Sequence, residues 1–388
     1  MEKKYYKAFN NDMTCRDVKY QVGKTYKEDY AKLCESGFHF CENPLDCLHY
    51  YPLIDDTGNI VKINRVTPLG EIDDKLNPFS IPDTKKCTTK IKIGELVDLD
   101  TFIKESREYM SNNTIEFIKN QNNNSHDRKK QCIQEAELYN ICGTNKTNAI
   151  QNLTSSRPNG LYLFLTGVKS NILLYNYYDL FLENTAYSNN LVFDKVDESN
   201  INSTGGYCNI ICRGNSNLIS NNSYYTNIVI EGTQNVATIK GTNNRIKLLS
   251  DSDASLINVK KGQANKIYNE SNNVNIRIHD AYNTIISNGN NCNILVNIPW
   301  NLIECKGKNC NIIVNGECNY IKASIGTHIT FTDSINSFKK HIVIDNDKYS
   351  EFFWYGIEQY HGICIINEVI NPSRVEKRIA KMTNGKSN

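Results

Sequence analysis

The feature that most constrains this chain is an asparagine that recurs at a fixed spacing ahead of short β-branched runs. Between residues 209 and 320 these asparagines form two interleaved series, whose neighbours are repeatedly 18 residues apart. Self-similarity at a short fixed period is typical of stacked repeats, so the sequence predicts a two-sided β-solenoid. The first series is Asn209, Asn227, Asn283, Asn301 and Asn319, and the second is Asn217, Asn235, Asn275, Asn293 and Asn311.

The repeat also predicts what these positions do. Because equivalent strands of successive coils lie about 4.8 Å apart, equivalent asparagines would stack into ladders of amide hydrogen bonds. Asparagine tolerates the left-handed backbone conformation, so we expect it at the corners. Glycines just upstream, such as Gly232 and Gly289, would take positive φ. Replacing Asn293 with alanine should then break a ladder and cost about 1 kcal/mol or more.

Periodicity and composition divide the chain into four parts. The predicted fold class is mainly β: a small N-terminal α+β domain, a two-sided β-solenoid with about 18 residues per coil, and a C-terminal cap. An irregular β-sandwich is the alternative. The predicted boundaries are 1–110 for the N-terminal domain, 111–159 for a polar linker and helical cap, 160–331 for the solenoid, and 332–388 for the C-terminal cap and a basic helix.

Helical spacing appears outside the solenoid. It predicts helices at Pro44–Tyr50 and within Leu96–Met110, and a short helix at Gln131–Tyr139 that would cover the exposed edge of the first coil. A basic amphipathic helix is predicted at Ser373–Lys381, either as part of the cap or as a contact for an acidic partner surface.

Charge and hydrophobicity exclude several classes of function. The formal net charge is +2, from 44 basic and 42 acidic residues, so the chain lacks the basic footprint of a nucleic-acid binder. No stretch has the length of a membrane span, and the first residues lack the apolar core of a signal peptide. The 14 cysteines form no compact framework, which indicates reduced thiols in a cytosol.

The densest group of candidate metal ligands lies between residues 34 and 51, with three cysteines and two histidines. Structural zinc sites usually contain a C-x-x-C pair, but Cys34, Cys41 and Cys47 are separated by seven and six residues. We therefore expect packed cysteines, with no metal and no cofactor, and keep a zinc site as the minority alternative.

Three segments resemble an uncharacterised domain found in phage and prophage proteins. They are Tyr5-Tyr6-Lys7-Ala8-Phe9-Asn10, Tyr20-Gln21-Val22-Gly23-Lys24-Thr25-Tyr26 and Gly37-Phe38-His39-Phe40-Cys41-Glu42-Asn43-Pro44. In that family the domain is often followed by short β-helical repeats. The resemblance implies a protein of the cytoplasm of an infected or lysogenic bacterial host, or one associated with a virion, and it brings no established activity.

A second resemblance is to the ADP-ribosyltransferase fold. Gly37-Phe38-His39-Phe40 followed by Tyr50 has the spacing of that family's strand and helix, which implies that His39 would lie over NAD and Tyr50 would stack on its nicotinamide. Glu71 and Glu95 are positional candidates for the catalytic glutamate. The chain departs from the pattern because no His-Gly stands on its first strand.

The function predicted from these features is a non-catalytic binding or assembly protein of phage or prophage type. Its N-terminal domain would recognise a viral or host protein, and its rigid solenoid would serve as spacer or docking surface. Assembly into a homo-oligomer through the solenoid or the cap is left open. The alternative is an effector enzyme that uses NAD in its N-terminal domain.

Overall fold

The computed structural model describes only part of the chain. The described residues are 3–75, 83–111, 118–119, 137–141, 147–150, 161–316, 319–324, 327–331, 339–345, 348–354 and 358–361. The chain divides into two compact units, residues 1–196 with 205–211 and residues 197–204 with 212–388.

The N-terminal domain is built on a seven-stranded antiparallel sheet in the order β4-β9-β6-β1-β5-β8-β7, with a separate two-stranded hairpin of β2 and β3. A 3-10 helix, Pro44–His49, follows β5, and the helix α1, Leu99–Ser111, follows β9. The strands are β1 (Tyr5–Phe9), β2 (Thr14–Cys15), β3 (Val18–Lys19), β4 (Thr25–Lys27), β5 (Phe38–Cys41), β6 (Lys62–Pro68), β7 (Ile72–Asp73), β8 (Lys85–Thr88) and β9 (Lys90–Val97).

One face of this sheet carries an apolar cluster. Side chains alternate between the two faces of a strand, so Phe9 of β1 and Phe38 and Phe40 of β5 lie on the same side. Tyr20, Val66, Ile91 and Ile93 complete the buried cluster. Its aromatic rings pack at tilted and edge-on angles, as Phe9 does on Tyr20 with ring centroids 5.1 Å apart.

The opposite face is held to α1 through a buried carboxylate. Glu105 is 4% exposed and accepts hydrogen bonds from Tyr6 Oη at 2.9 Å, Lys4 Nζ at 2.7 Å and Arg65 Nη2 at 2.6 Å. Burial alone would raise the pKa of Glu105, but these donors outweigh it and lower the pKa. The helix is therefore anchored at its middle to β1 and β6.

The rest of the described chain is made of β-strands joined by turns. Residues 163–329 form a β-solenoid of about nine coils spaced about 18 residues apart. The predicted fold class is thereby confirmed. The strands are β10 (Ile118–Lys119), β11 (Glu137–Ile141), β12 (Thr147–Ile150), β13 (Leu161–Leu165), β14 (Asn171–Tyr178), β15 (Leu180–Asn184), β16 (Asn190–Asp197), β17 (Asn200–Ser203), β18 (Asn209–Arg213), β19 (Leu218–Asn221), β20 (Asn227–Glu231), β21 (Val236–Ile239), β22 (Arg245–Leu248), β23 (Leu256–Val259), β24 (Lys266–Asn269), β25 (Asn275–Ile278), β26 (Thr284–Ser287), β27 (Asn293–Val296), β28 (Leu302–Cys305), β29 (Asn311–Val314), β30 (Tyr320–Ala323), β31 (His328–Phe331), β32 (Lys339–Asp345), β33 (Lys348–Trp354) and β34 (Glu358–His361).

Alternate strands pair in parallel with equivalent residues side by side. In the first unit β13 pairs with β15, and in the second β25 pairs with β27, where Ile276 lies next to Ile294. The second and fourth residues of most strands point inward, so the isoleucines of successive coils stack in the core. At the C-terminal side β33 and β34 pair antiparallel with β32 and β31, which ends the parallel order.

Secondary structure differs from expectation at one predicted helix. Glu137–Ile141 form β11, which pairs in parallel with β13, where the pattern predicted the end of the helix Gln131–Tyr139. Apolar residues in a short polar segment fit either element, and pairing with the next coil favours the strand. Residues 131–136 and the predicted basic helix Ser373–Lys381 lie outside the described residues.

At the corners of the solenoid, asparagine and glycine have roles that differ from those expected from the sequence. The residue with positive φ comes just before the corner asparagine, as Tyr282 (60°) does before Asn283. Gly232 has the expected positive φ of 109°, whereas Gly289 does not have a positive φ. A Cβ on Gly289 would lie 1.6 Å from the carbonyl oxygen of Ser271, so glycine is required there because two coils approach closely.

Candidate ligand cavity in the N-terminal domain

A cavity of about 520 Å³ lies in the N-terminal domain, and residues from both faces of β1 and β5 line it. It is bordered by β1, β5, the β2–β3 hairpin and the turn before β5. Its volume falls in the range of small-molecule sites. The polar side chains that line it include Lys7, Arg16, Glu28, Glu35, His39 and Lys85.

Lys7 is the most buried charged group of the cavity. It lies between Tyr5 and Phe9 on the aromatic face of β1 and is 7% exposed. Its ammonium donates to the carbonyl oxygen of His39 at 3.0 Å and lies 5.5 Å and 5.7 Å from the ring centroids of Phe9 and Tyr20. A cation therefore occupies a position at which the alternation of side chains along the strand predicts an apolar residue.

His39 shapes the wall of the cavity as a neutral imidazole. Its Nε2 accepts a hydrogen bond from the backbone N–H of Cys34 at 3.0 Å, so this nitrogen carries no proton. Burial and, after it, the charges of Lys7, Lys85 and Arg16 together lower the pKa of His39 to about 4. Several cations therefore act on one point of the cavity wall.

Tyr50 lies at the rim and is held on two sides. Its hydroxyl donates to Asp83 Oδ2, and Lys85 Nζ lies 4.4 Å from its ring centroid. Burial and the bond to Asp83 raise the pKa of Tyr50. The ammonium of Lys85 therefore already covers one face of the ring.

Two carboxylates line the cavity, and both have partners. Glu28 accepts from the backbone N–H of Gly37 at 2.9 Å, and Glu35 pairs with Lys32 at 2.6 Å. Glu28 therefore supports the turn before β5, and Glu35 is neutralised by an exposed lysine. Sequence reasoning missed both residues, because neither stands at a motif position.

The four residues proposed for catalysis are only partly brought together. His39 and Tyr50 both line the cavity, whereas Glu71 and Glu95 do not. Glu95 forms an ion pair with Arg65 on the other side of the sheet, and the carbonyl oxygen of Glu71 accepts from the N–H of Thr89. The catalytic assignment of these residues stays a prediction.

Cysteines contribute thiols to the wall. Cys41 and Cys47 are buried free thiols that share a side-chain hydrogen bond, and this bond together with burial raises the pKa of Cys41. Within the described ranges, no group of three or more histidine, cysteine, aspartate or glutamate side chains is arranged to hold a metal ion.

The 3-10 helix that follows β5 lies on the solenoid. Asn171, Asn190 and Asn209 begin β14, β16 and β18, and their amides form a ladder: Asn190 donates to Asn171 at 2.8 Å and Asn209 donates to Asn190 at 2.9 Å. The helix bonds to this ladder through Asp46 Oδ1, which accepts from Asn171 at 2.6 Å, and through the carbonyl of Leu45, which accepts from Asn190 at 2.9 Å.

The contact continues beyond the helix on both sides. The carbonyl of Leu48 accepts from Asn209 at 3.2 Å, and the N–H of Leu53 donates to Asn209 Oδ1 at 3.3 Å. The guanidinium of Arg107 in α1 lies 4.1 Å from the ring centroid of Tyr175 in β14. The cavity-bearing domain and the first coils are thus joined by buried, specific hydrogen bonds.

The predicted ladder asparagines occupy two different kinds of position. Asn217, Asn235, Asn283, Asn301 and Asn319 are buried at corners, where their side chains bond to backbone groups. Asn209, Asn227, Asn275, Asn293 and Asn311 come one position later, as first residues of strands with outward side chains. At their corners stand Cys208, Thr226, Val274, Cys292 and Cys310.

Acid should weaken the N-terminal domain. His49, whose side chain is 2% exposed beside Asn190, has its pKa lowered by burial, with Asp46 opposing the shift, and the pKa of His39 is lowered to about 4. Because both pKa values are below that of an unfolded histidine, about 6.5, unfolding takes up protons as the pH falls. We expect stability present at pH 7 to fall by about 1 kcal/mol or more by pH 5.

Thermal melting of the full chain across this pH range measures the loss. The double variant His39→Gln, His49→Gln should show a flatter profile below pH 6.5. An equally steep profile in that variant would place the acid sensitivity on other groups.

Comparison with known proteins finds a matching family for the N-terminal domain alone. Residues 3–105 match a family described as a domain of unknown function, DUF7666. No curated protein matches the chain, and no solved structure matches it either. Among the described residues, none of the helices combines the length and hydrophobicity that a transmembrane span requires.

Proposed function

We propose that this chain is a non-catalytic binding protein, in which the N-terminal domain recognises a ligand in its cavity and the solenoid is a rigid support. The observation that carries the proposal is the cavity of about 520 Å³ in a domain hydrogen-bonded to the first coils. A site on a rigid support loses little conformational freedom when a ligand binds.

The construction of the solenoid also favours a supporting role. Its strands are short, each bonds to its neighbours in register, and its core is filled by stacked aliphatic side chains. Such arrays present long ordered surfaces with few moving parts. The cavity, by contrast, is lined by charged and aromatic side chains of strands and of turns.

The biological setting belongs to the same proposal. On the resemblance of its N-terminal segments, the protein acts in the cytoplasm of a phage-infected or lysogenic bacterium, or on the virion. Its partner there is a viral or host protein. Assembly of the chain through the solenoid or the cap is tested by light scattering of the full chain, where a homo-oligomer gives a multiple of the monomer mass.

A second candidate is an effector that uses NAD. It is favoured by one observation, that His39 and Tyr50 border the same cavity as the carboxylates of Glu28 and Glu35. Against it, the ammonium of Lys85 occupies the face of Tyr50 at 4.4 Å, and both carboxylates already have partners. A nicotinamide ring, itself cationic in NAD, would have to compete with that ammonium.

The test is a substitution that fills the mouth of the cavity. Val18 lines the cavity and is 39% exposed, so Val18→Trp should block entry without disturbing the core. The matched control is Val22→Trp, at a position 57% exposed that does not line the cavity. Native mass spectrometry of gently purified full-length chains should find a molecule retained by the wild type and the control and lost from Val18→Trp.

Labelled NAD added to the same preparations separates the two candidates. We expect neither consumption of NAD nor transfer of label to protein. The binding proposal fails if all three chains retain the same molecules. Transfer of label that disappears in His39→Ala would replace it with the enzymatic candidate.

A further inference from the structure

Among the described residues, no carboxylate pairs with the buried ammonium of Lys7. The hydrogen bonds and ring contacts described for its ammonium are to the carbonyl oxygen of His39 and to the rings of Phe9 and Tyr20. Within the part of the chain that the structure describes, no carboxylate oxygen lies within 4.0 Å of it. Lys7 is only 7% exposed although no such partner lies among the described residues, and it borders the cavity.

Such a group is unusual in a folded protein. Lysine is almost never fully buried unless it is paired, because an ammonium that leaves water loses its hydration. An ammonium has three N–H donors, and a single carbonyl satisfies one of them. The electron-rich faces of two rings offset part of the cost, but they do not neutralise the charge.

The surroundings add positive charge. Arg16 and Lys85 also border the cavity, and both act on His39 together with Lys7. Of the two carboxylates that line the cavity, Glu35 is paired with Lys32 and Glu28 accepts a hydrogen bond from the N–H of Gly37, so the three cations exceed the one carboxylate that has no lysine or arginine partner described. The inner part of the cavity is therefore a place where an anion gains more than it would in water.

We propose that the cavity binds a small molecule through a compact anionic group, a carboxylate or a phosphate, placed against the ammonium of Lys7. This inference rests on the proposed binding function and names the chemistry of its ligand. The remaining N–H donors of Lys7 would bond to the anion, and Arg16 and Lys85, which also line the cavity, would add positive charge. Aromatic side chains such as Tyr20 and Tyr51, which also line the cavity, would contact the rest of the molecule.

The experiment uses pairs of probes that differ in charge. Melting temperatures of the full chain are measured with inorganic phosphate, with adenosine 5′-monophosphate against adenosine, and with benzoate against benzyl alcohol, at constant ionic strength. The first pair tests a phosphate and the second a carboxylate. We expect at least one anion to raise the wild-type melting temperature by several degrees, while both neutral partners leave it unchanged.

Lys7→Met is the decisive variant, because it keeps the length of the side chain and removes its charge. We expect anion affinity, measured by calorimetry, to fall at least tenfold. The melting temperature without ligand should equal or exceed that of the wild type, since an unpaired buried charge has been removed. Lys24→Met, at an exposed position outside the cavity, should match the wild type in both measurements.

Two results would overturn the proposal. One is a wild-type melting temperature that responds to none of the anions. The other is a Lys7→Met chain that binds the anions as tightly as the wild type, whatever its melting temperature. If that variant also melts well below the wild type, Lys7 is a structural residue. A neutral molecule retained by the wild type and excluded by Val18→Trp would refute the anionic ligand and leave the binding function standing.

Discussion

Asn190→Ala is expected to loosen the N-terminal domain from the first coils and to cost about 3 kcal/mol. The amide of Asn190 donates to the carbonyl of Leu45 and to Asn171, and its oxygen accepts from Asn209. All of these groups are buried, so removing the amide leaves several polar atoms without water or partner. The loss should exceed that of one hydrogen bond.

Hydrogen exchange gives a local readout of this change. The N–H of Leu53 donates to Asn209 Oδ1 and should exchange slowly in the wild type and faster in the variant. Melting of the full chain gives the global cost. If exchange at Leu53 is unchanged and the melting temperature falls by less than a degree, the ladder does not hold the domain.

The matched control is Asn293→Ala. Asn293 also begins a strand and also stands in an amide ladder, donating to Asn275 at 3.0 Å and accepting from Asn311 at 2.9 Å, but it is exposed. Water can replace its partners, so we expect a cost within about 0.5 kcal/mol. This corrects the value of about 1 kcal/mol or more predicted from the sequence, which assumed a corner position.

The architecture of the repeat could be predicted from the sequence, because it depends only on the spacing between equivalent residues. A step of 18 residues and alternating isoleucines require only that equivalent residues stack, and β25 and β27 pair as that step demands. The position of each asparagine within the coil was not readable. Asn275 and Asn283 are both followed by a β-branched residue, Ile276 and Thr284, yet Asn275 begins a strand and Asn283 lies at a corner.

The cavity was less predictable than the solenoid. His39 and Tyr50 were singled out by motif spacing, and both border it. Lys7 was not singled out, although a lysine between Tyr5 and Phe9 on one face of a strand indicates a charge among aromatic side chains. Its role depends on β5 lying beside β1 and on the hairpin residues that line the same cavity, which are tertiary contacts that local patterns do not encode.

The largest effect inside the solenoid is expected for Asn283→Ala, about 4 kcal/mol. The side-chain oxygen of Asn283 accepts from the backbone and side-chain N–H groups of Asn265, at 3.0 Å and 3.1 Å, and its amide donates to the carbonyls of Asp280 at 2.8 Å and Ala281 at 3.1 Å. One buried side chain thus forms hydrogen bonds with polar groups of two successive coils at a corner. Alanine satisfies none of these groups, and urea denaturation of the full chain measures the loss.

Serine at the same position should be tolerated better, because the solenoid already uses it at a corner. Ser255 Oγ accepts from the N–H of Asn235 at 3.2 Å, the role that Asn283 Oδ1 plays for Asn265. Asn283→Ser keeps this acceptor and loses the two bonds to the carbonyls, so we expect about half the cost of alanine. Equal costs for serine and alanine would show that the amide N–H groups, and not the oxygen that links successive coils, stabilise the corner.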